Sequence, residues 1–209
     1  MGTGGKKLKG ENPDLQDFGY SYKLSDEVDE NGRHFVLASD GSIAFGEITQ
    51  DTGLTAAPIY LSEGLIINPD TMDGYGLLHI EARHGDEIRN AGFESVIVFV
   101  EEVAKHYEII REGKMRGGNR TYMLQLTDRY NNTLIVELSG DGNIWNINTA
   151  GVFRTTYGVN EKEVYNRYAT AKQPAETVEA SLSEEQGGTT SQTSINTSTT
   201  SDDKSITKE

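Results

Sequence analysis

Two histidines and an arginine lie within six residues of one another, at His79, Arg83 and His84. On a helix, His79 and Arg83 share a face because they are four residues apart, and His84 lies about 100° further round. Histidine transfers protons near neutral pH, and arginine binds phosphate through paired hydrogen bonds. Metal-free RNA cleavage needs these groups: a base for the 2′-hydroxyl, an acid for the 5′-oxygen and a cation for the phosphate. The structural alternative is that Arg83 pairs with Glu81, Asp86 or Glu87 and one histidine caps a buried turn.

A second group of polar residues lies in, and just after, the strand predicted over residues 144–149. Arg154 and Thr155 come just after it, where a guanidinium and a hydroxyl can bind a phosphate, although a polar strand exit is an equally good interpretation. Asn146 and Asn148 form the polar face of this strand, whose other face is apolar. They are candidate contacts to a base or sugar, and the alternative is a solvated sheet face.

A basic, glycine-rich segment runs from residue 114 to residue 120 and includes Lys114, Arg116 and Arg120. We expect a flexible loop between a helix and a strand that contacts the RNA backbone through these cations. A solvated connector explains the same residues. The sequence shows no zinc motif and no phosphate-binding glycine loop, so we expect neither a metal nor another cofactor.

Hydrophobic periodicity indicates the elements that position these residues. Apolar residues recur at helical spacing over 74–88, and again over 95–111 after the candidate N-cap Ser95. Alternation predicts three later strands, at 121–127, 133–138 and 144–149. A short helix is predicted over 161–167, and shorter β-type runs are predicted at 34–38, 43–48 and 58–61. This order of elements indicates an α+β domain.

Composition divides the chain into four predicted segments. Residues 1–30 are polar, without the apolar stretch of a secretory signal, and we expect a poorly ordered leader. Residues 31–72 are predicted to form a small β arm, and residues 73–168 the main domain. Residues 169–209 are rich in Ser and Thr and have too few apolar side chains to offset chain entropy, so we expect a disordered tail.

The net charge of −14 limits the possible partners. Residues 170–209 hold seven acidic and three basic side chains, so about −10 of this charge lies in the rest of the chain. Such acidity argues against broad, non-specific binding to nucleic acid, which depends on phosphate neutralisation, but it leaves room for a local basic site. The chain has no cysteine, which fits a reducing cytoplasm, and no apolar run long enough to span a membrane.

The segment from Tyr75 to Tyr168 resembles the phage and mobile-element branch of the barnase–EndoU–colicin–RelE-like nuclease superfamily. The resemblance rests on "YGLLHIEARHGDEIRNAGFESVIVFVEEV" followed by "YMLQLTDRYNNTLIVELSGDGNIWNINTAGVFR". It implies N-terminal helices packed on a roughly four-stranded antiparallel sheet, with the active groove on the sheet face. His79 and His84 match the helix motif, Arg83 lies within it, and Arg154 and Thr155 match the polar end of the later strand loosely.

Residues and resemblance together predict a metal-independent endoribonuclease-like domain that acts on tRNA or another structured RNA in the cytoplasm of a bacterial host. An immunity protein or a host protein is a further expected partner. The rival hypothesis is a non-catalytic acidic protein that mimics nucleic acid or inhibits a host system, as its negative charge would allow. Group transfer of the ADP-ribosyl type is a third interpretation, for which the sequence shows no nicotinamide-cofactor motif.

Overall fold

A computed structural model of the chain describes residues 15–18 and 22–170. The predicted disordered tail beyond residue 170, and residues 1–14 and 19–21 of the predicted leader, lie outside these described residues. Within the leader, Leu15–Phe18 forms a 3-10 turn in which Leu15 is buried. No helix among the described residues is long and apolar enough to cross a membrane.

Eleven strands and three α-helices make up the described part of the chain. The first six strands are β1 Leu24–Val28, β2 His34–Val36, β3 Ala44–Ile48, β4 Ala57–Tyr60, β5 Leu65–Asn68 and β6 Asp73–Tyr75. Helices α1 Gly76–Asn90 and α2 Val96–His106 follow directly. The remaining elements are β7 Ile109–Arg116, β8 Asn119–Thr127, β9 Asn131–Leu138, β10 Trp145–Phe153, β11 Glu163–Asn166 and α3 Arg167–Thr170.

The main sheet has seven strands in the order β11-β7-β8-β9-β10-β4-β3. Its neighbours are antiparallel except β10 and β4, which run parallel through Trp145 with Ile59 and Asn146 with Tyr60. The prediction of N-terminal helices on a roughly four-stranded antiparallel sheet with a separate β arm is therefore wrong. The protein is mostly β, its sheet is curled and mixed, and β3 and β4 continue that sheet.

Two strands of the main sheet were not predicted from the sequence because their patterns imitate other structures. In β7, Ile109 and Ile110 continue the helical spacing of α2, and the residues after them are half-buried at 111–113 and exposed at 114–116, so no alternation is visible. The sequence predicted a helix over 161–167, but residues 163–166 form β11, a short edge strand that pairs with β7. Residues 114–116 therefore belong to a strand, and a tight Gly117–Gly118 turn connects it to β8.

The two longer helices cover the sheet in different places. Helix α2 begins at the N-cap Ser95, whose hydroxyl accepts a hydrogen bond from the Val98 N–H, as predicted for this residue. It packs on β3, β8 and β9 and buries Phe99, Val100 and Val103. Helix α1 packs along β10, which pairs with β4 only at its first two residues. This arrangement brings the His79–His84 segment next to the later part of β10.

Candidate active site

His79 is held on α1 with one ring nitrogen already engaged. Its Nδ1 lies 2.8 Å from the Met72 carbonyl oxygen, which can only accept, so Nδ1 carries the proton and the neutral ring keeps an unprotonated Nε2. Met72 has φ 56° and is the only non-glycine residue with positive φ in the described part of the chain. The β5–β6 turn thus places a left-handed residue where its carbonyl fixes the histidine ring.

The environment of His79 favours the neutral imidazole. The residue keeps 6% of its surface exposed, and this burial lowers its pKa below the ordinary value of 6.5. The hydrogen bond to Met72 opposes the shift, while the positive charges of His84, Arg83 and Arg116 add to it. At neutral pH this ring is therefore a proton acceptor rather than a cation.

His84 lies beside His79 and over the end of β10. The two imidazole centres are 6.1 Å apart and nearly perpendicular, and the His84 ring also meets Phe153 edge-on with centres 6.0 Å apart. A Cβ at Gly151 would lie 3.2 Å from His84 Nδ1, so the absence of a side chain there gives the imidazole its space. Its Nδ1 is 3.3 Å from Glu87 Oε2, which orients the ring.

Arg83 and Arg116 bring positive charge to the histidines from two elements. Arg83 donates from Nη1 to Asp73 Oδ1, so it pairs with a carboxylate of β6 and not with Glu81, Asp86 or Glu87 of its own helix. Hydrogen bonding from Thr71, followed by the nearby guanidinium of Arg83, holds the pKa of Asp73 below its usual range. Arg116, at the end of β7, donates from Nη2 to the Gly74 carbonyl at 3.3 Å.

A polar cavity of about 270 Å³ lies next to this group, between the 29–31 turn, β6, the β7–β8 hairpin and the β9–β10 pair. Arg116, Asn146 and Asn148, three residues predicted to bind substrate, all line it. Tyr75 and Glu137 line it as well, and the Tyr75 hydroxyl lies 3.3 Å from an Asp29 carboxylate oxygen. Burial, followed by the charge of Asp29, raises the pKa of Tyr75 to about 12.

The other predicted residues lie apart from this group. Arg120 contacts the Gly113 carbonyl and Glu112. Its neighbour Asn119, on the opposite face of β8, is the residue that lines the polar cavity. Lys114 is an exposed residue of β7. Arg154 and Thr155 lie on an exposed turn after β10, and their side chains make no hydrogen bond or ion pair with other described residues. The structure therefore brings together His79, Arg83, His84 and Arg116, with Asn146 and Asn148 in the adjacent cavity.

Four residues of this region were not predicted from the sequence: Asp73, Tyr75, Asn119 and Glu137. Glu137 carried a usable signal, because it is a lone carboxylate in the apolar strand Leu134–Leu138. No spacing rule connects the others to His79, since β6 and the β7–β8 hairpin reach the site through the fold.

A stacked pair of aromatic rings extends the site beyond His84. The Phe153 and Tyr157 rings have centres 4.1 Å apart and planes inclined by 14°. The Tyr157 carbonyl accepts hydrogen bonds from Gln125 Nε2 at 3.3 Å and from Asn131 Nδ2 at 2.9 Å, which holds the 154–158 turn against the sheet. Tyr157 remains exposed enough to offer its ring to a ligand.

Comparison of the chain with protein-family models, with curated proteins and with solved structures gives no match. Among the described residues, no three His, Asp or Glu side chains are grouped as metal ligands would be. The geometry of the site is therefore the basis for assigning a function to the chain.

Proposed function

We propose that this chain is a metal-independent endoribonuclease in which His79 and His84 exchange protons with RNA. The observation that carries the proposal is the pair of imidazoles 6.1 Å apart, with two arginines whose charges reach His79. A neutral imidazole and a second imidazole at this separation are near enough to serve one phosphate group. The proposal rests on this local geometry and not on the fold that the family resemblance implied.

The reaction divides the protons between the two rings. Nε2 of His79 takes the proton of a 2′-hydroxyl, and O2′ forms a bond to phosphorus as the bond from phosphorus to O5′ breaks. A protonated His84, oriented by Glu87, gives its proton to O5′. The products are a 2′,3′-cyclic phosphate and a 5′-hydroxyl; His79 then releases its proton to solvent and His84 takes one up, which restores both rings.

The arginines supply the charge that the phosphate requires in the transition state. Among the described residues Arg116 donates to one carbonyl oxygen, so most of its five N–H groups are free for phosphate oxygens. Arg83 is shared with Asp73, and a phosphate would replace that carboxylate. Arg154 follows Phe153, which touches His84, and we assign it and Thr155 to an adjoining phosphate of the RNA.

The test is cleavage of a fluorescent RNA by the full chain in EDTA, with mass spectrometry of the products. We expect cyclic phosphate ends, and a loss of at least a hundredfold in rate for His79→Gln and for His84→Gln. His106→Gln is the matched control, because His106 is an exposed histidine on α2 that contacts Glu102. An RNA with a 2′-deoxy sugar at the cleavage position must stay intact. Absence of cleavage, full activity of the His79 variant, or cutting of the deoxy substrate would each overturn the proposal.

A second candidate function is an acidic docking protein, favoured by one specific feature. The edge strand β1 exposes Asp26 and Glu27 beside Leu24 and Val28, a pattern that suits a basic partner with apolar contacts. This function needs no imidazole pair. Full-strength binding of such a partner by the His79→Gln variant, together with absence of RNA cleavage by the unaltered chain, would favour it over the nuclease.

A further inference from the structure

We propose that the polar cavity beside Arg116 is a nucleobase subsite that accepts bases with an exocyclic amino group and disfavours uracil. The inference rests on the proposed nuclease function, since it places one base of the RNA next to the phosphate held by the histidines. Its volume of about 270 Å³ is below the roughly 300–1,000 Å³ typical of sites for drug-sized ligands. A single flat ring system of nucleobase size suits this space.

One lining residue of the cavity, Glu137, is a hydrogen-bond acceptor that two neighbouring amides orient. The Glu137 carboxylate accepts from Asn119 Nδ2 at 2.8 Å and from Asn148 Nδ2 at 3.0 Å, one amide on each oxygen. Asn148 is buried, so the sheet holds this half of the arrangement, whereas Asn119 is an exposed residue of β8. Each carboxylate oxygen can accept a further bond, and Glu137 is thus an oriented acceptor for N–H groups of a ligand.

Asp29 is a second oriented acceptor among the lining residues of the cavity. Asp29 Oδ1 accepts from the backbone N–H groups of Asn31 and Arg33, both at 2.9 Å, and Oδ2 accepts from the Tyr75 hydroxyl. These two carboxylates repel a phosphate from their part of the cavity, which leaves phosphate binding to Arg116. They favour a neutral ligand that donates hydrogen bonds.

Donors for the ligand's own acceptors are also available. Asn146 faces the same side of the sheet as Glu137, its register partner, and its amide makes no hydrogen bond with other described residues. Arg116 lines the cavity and also reaches the Gly74 carbonyl, close enough to His79 to lower the pKa of that ring. A base bound here therefore lies beside Arg116, whose charge also reaches the imidazole of His79.

This set of groups discriminates between the four bases. Adenine, cytosine and guanine each present an NH₂ group next to a ring nitrogen or carbonyl, and so can donate to Glu137 while accepting from Asn146. Uracil has no exocyclic amino group, and its one edge donor, N3–H, lies between two carbonyl oxygens, so a carboxylate that accepts from it also meets the lone pairs of a carbonyl oxygen. A site built for hydrogen bonding rejects a ligand that leaves its polar groups unpaired, so we expect at least about a tenfold preference.

The experiment uses DNA oligonucleotides with a single ribonucleotide, which fixes the cleavage position. The bases on its two sides are varied in turn, and kcat/KM is measured with the full chain. At one of the two positions we expect uracil to be at least tenfold slower than the other three bases. Glu137→Gln should reduce that preference to within threefold, because its amide can donate to a uracil carbonyl. Glu112→Gln is the control, since Glu112 pairs with Lys162 and Arg120 outside the cavity.

Binding of nucleoside 3′-monophosphates, followed by ¹⁵N NMR, separates this inference from the proposed function. The expected shifts at Asn119 and Asn146 are larger for the amino-bearing nucleotides than for uridine 3′-monophosphate, and Asn146→Ala should weaken their binding. If RNA is not cleaved but this pattern of shifts is found, the nuclease proposal fails and the subsite stands. Cleavage with equal rates for all bases at both positions, or an unchanged preference in a folded Glu137→Gln variant, overturns the subsite.

Discussion

Replacement of Gly85 by alanine tests whether a buried ion pair, and not helix propensity, determines the residue at the centre of α1. A Cβ at Gly85 would lie 2.5 Å from Glu81 Oε2 and 2.8 Å from Arg89 Nη2. The Glu81 side chain is fully buried and accepts from Arg89 Nη1 at 2.8 Å and from the Tyr22 hydroxyl. The new methyl group therefore collides with both partners of this pair.

Two opposing terms set the magnitude of the effect. Alanine gains about 1 kcal/mol over glycine in a helix interior. Loss of one partner from a buried ion pair costs about 3–5 kcal/mol. Arg89 is 27% exposed and also bonds to Asp86, so it can shift outward and keep part of its interaction, which favours the lower end of that range. We expect Gly85→Ala to lower the free energy of unfolding by about 2 kcal/mol.

The assay is urea unfolding followed by fluorescence of Trp145, the single tryptophan, in a double-mutant cycle with Glu81→Ala. Glu81→Ala removes the carboxylate that the methyl group meets, so Gly85→Ala should become stabilising by about 1 kcal/mol in that background. Gly140→Ala is a control, since a Cβ there has no atom within 4 Å. A stabilising Gly85→Ala in the unaltered chain, or the same sign in both backgrounds, would refute this reasoning.

Two further predictions concern buried polar side chains. Burial lowers the pKa of His79, so as pH falls below 6.5 the unfolded chain takes up a proton before the folded chain does. Relative to His79→Gln, the unaltered chain should therefore lose up to about 1.4 kcal/mol of unfolding free energy per pH unit, down to the folded-state pKa. Urea unfolding at pH 7.5, 6.5 and 5.5 measures this loss, and an equal pH dependence in the two proteins would contradict the prediction. Asn132 is 1% exposed, and neither atom of its amide group has a hydrogen-bond partner among the described residues. Because burial of an unpaired amide is costly, Asn132→Leu should raise the urea midpoint by an amount equivalent to about 1 kcal/mol. A lower midpoint would contradict this prediction.

Sequence patterns predicted the elements whose signals are local. Ser95 caps α2 as expected because an N-cap depends on a hydrogen bond three residues along the chain. The alternating runs at 121–127 and 133–138 form β8 and β9, since one face of each is apolar. The parallel pairing of β10 with β4 left no such signal, because it joins residues more than 80 positions apart and depends on how the whole sheet is filled.

In the candidate site, too, the sequence predicted the residues that are close together along the chain and missed those that the fold brings in from other elements. His79, Arg83 and His84 are connected by helical spacing, and α1 brings them together. The residue that holds Arg83 is Asp73, from a different element, whereas the sequence suggested carboxylates on the helix itself. Gly85 illustrates the same limit: in the sequence it is only a weak helix former, and its role depends on the Glu81–Arg89 pair that occupies its space.

The chain is acidic, yet we propose that it acts on RNA. These properties are compatible because the repulsion by the net charge and the attraction by the arginines act over different distances. The net charge of −14 repels RNA over long distances, whereas Arg116 and Arg83 act on a phosphate in direct contact. At an ionic strength of about 0.1 M the screening length is about 10 Å, and at 0.01 M it is about 30 Å. Salt in this range therefore removes the repulsion before it weakens the contacts.

We accordingly expect kcat/KM for RNA cleavage to rise between about 10 mM and 100 mM KCl and to fall at higher salt, where the arginine contacts are screened as well. Arg116→Gln should leave the rising limb in place, because it makes the net charge more negative, and should lower the maximum. The measurement is the initial rate at subsaturating RNA over a KCl series at constant pH. A rate that declines steadily from the lowest salt is the behaviour of a nuclease that attracts RNA through a basic surface, and it would show that the acidic body does not face the substrate.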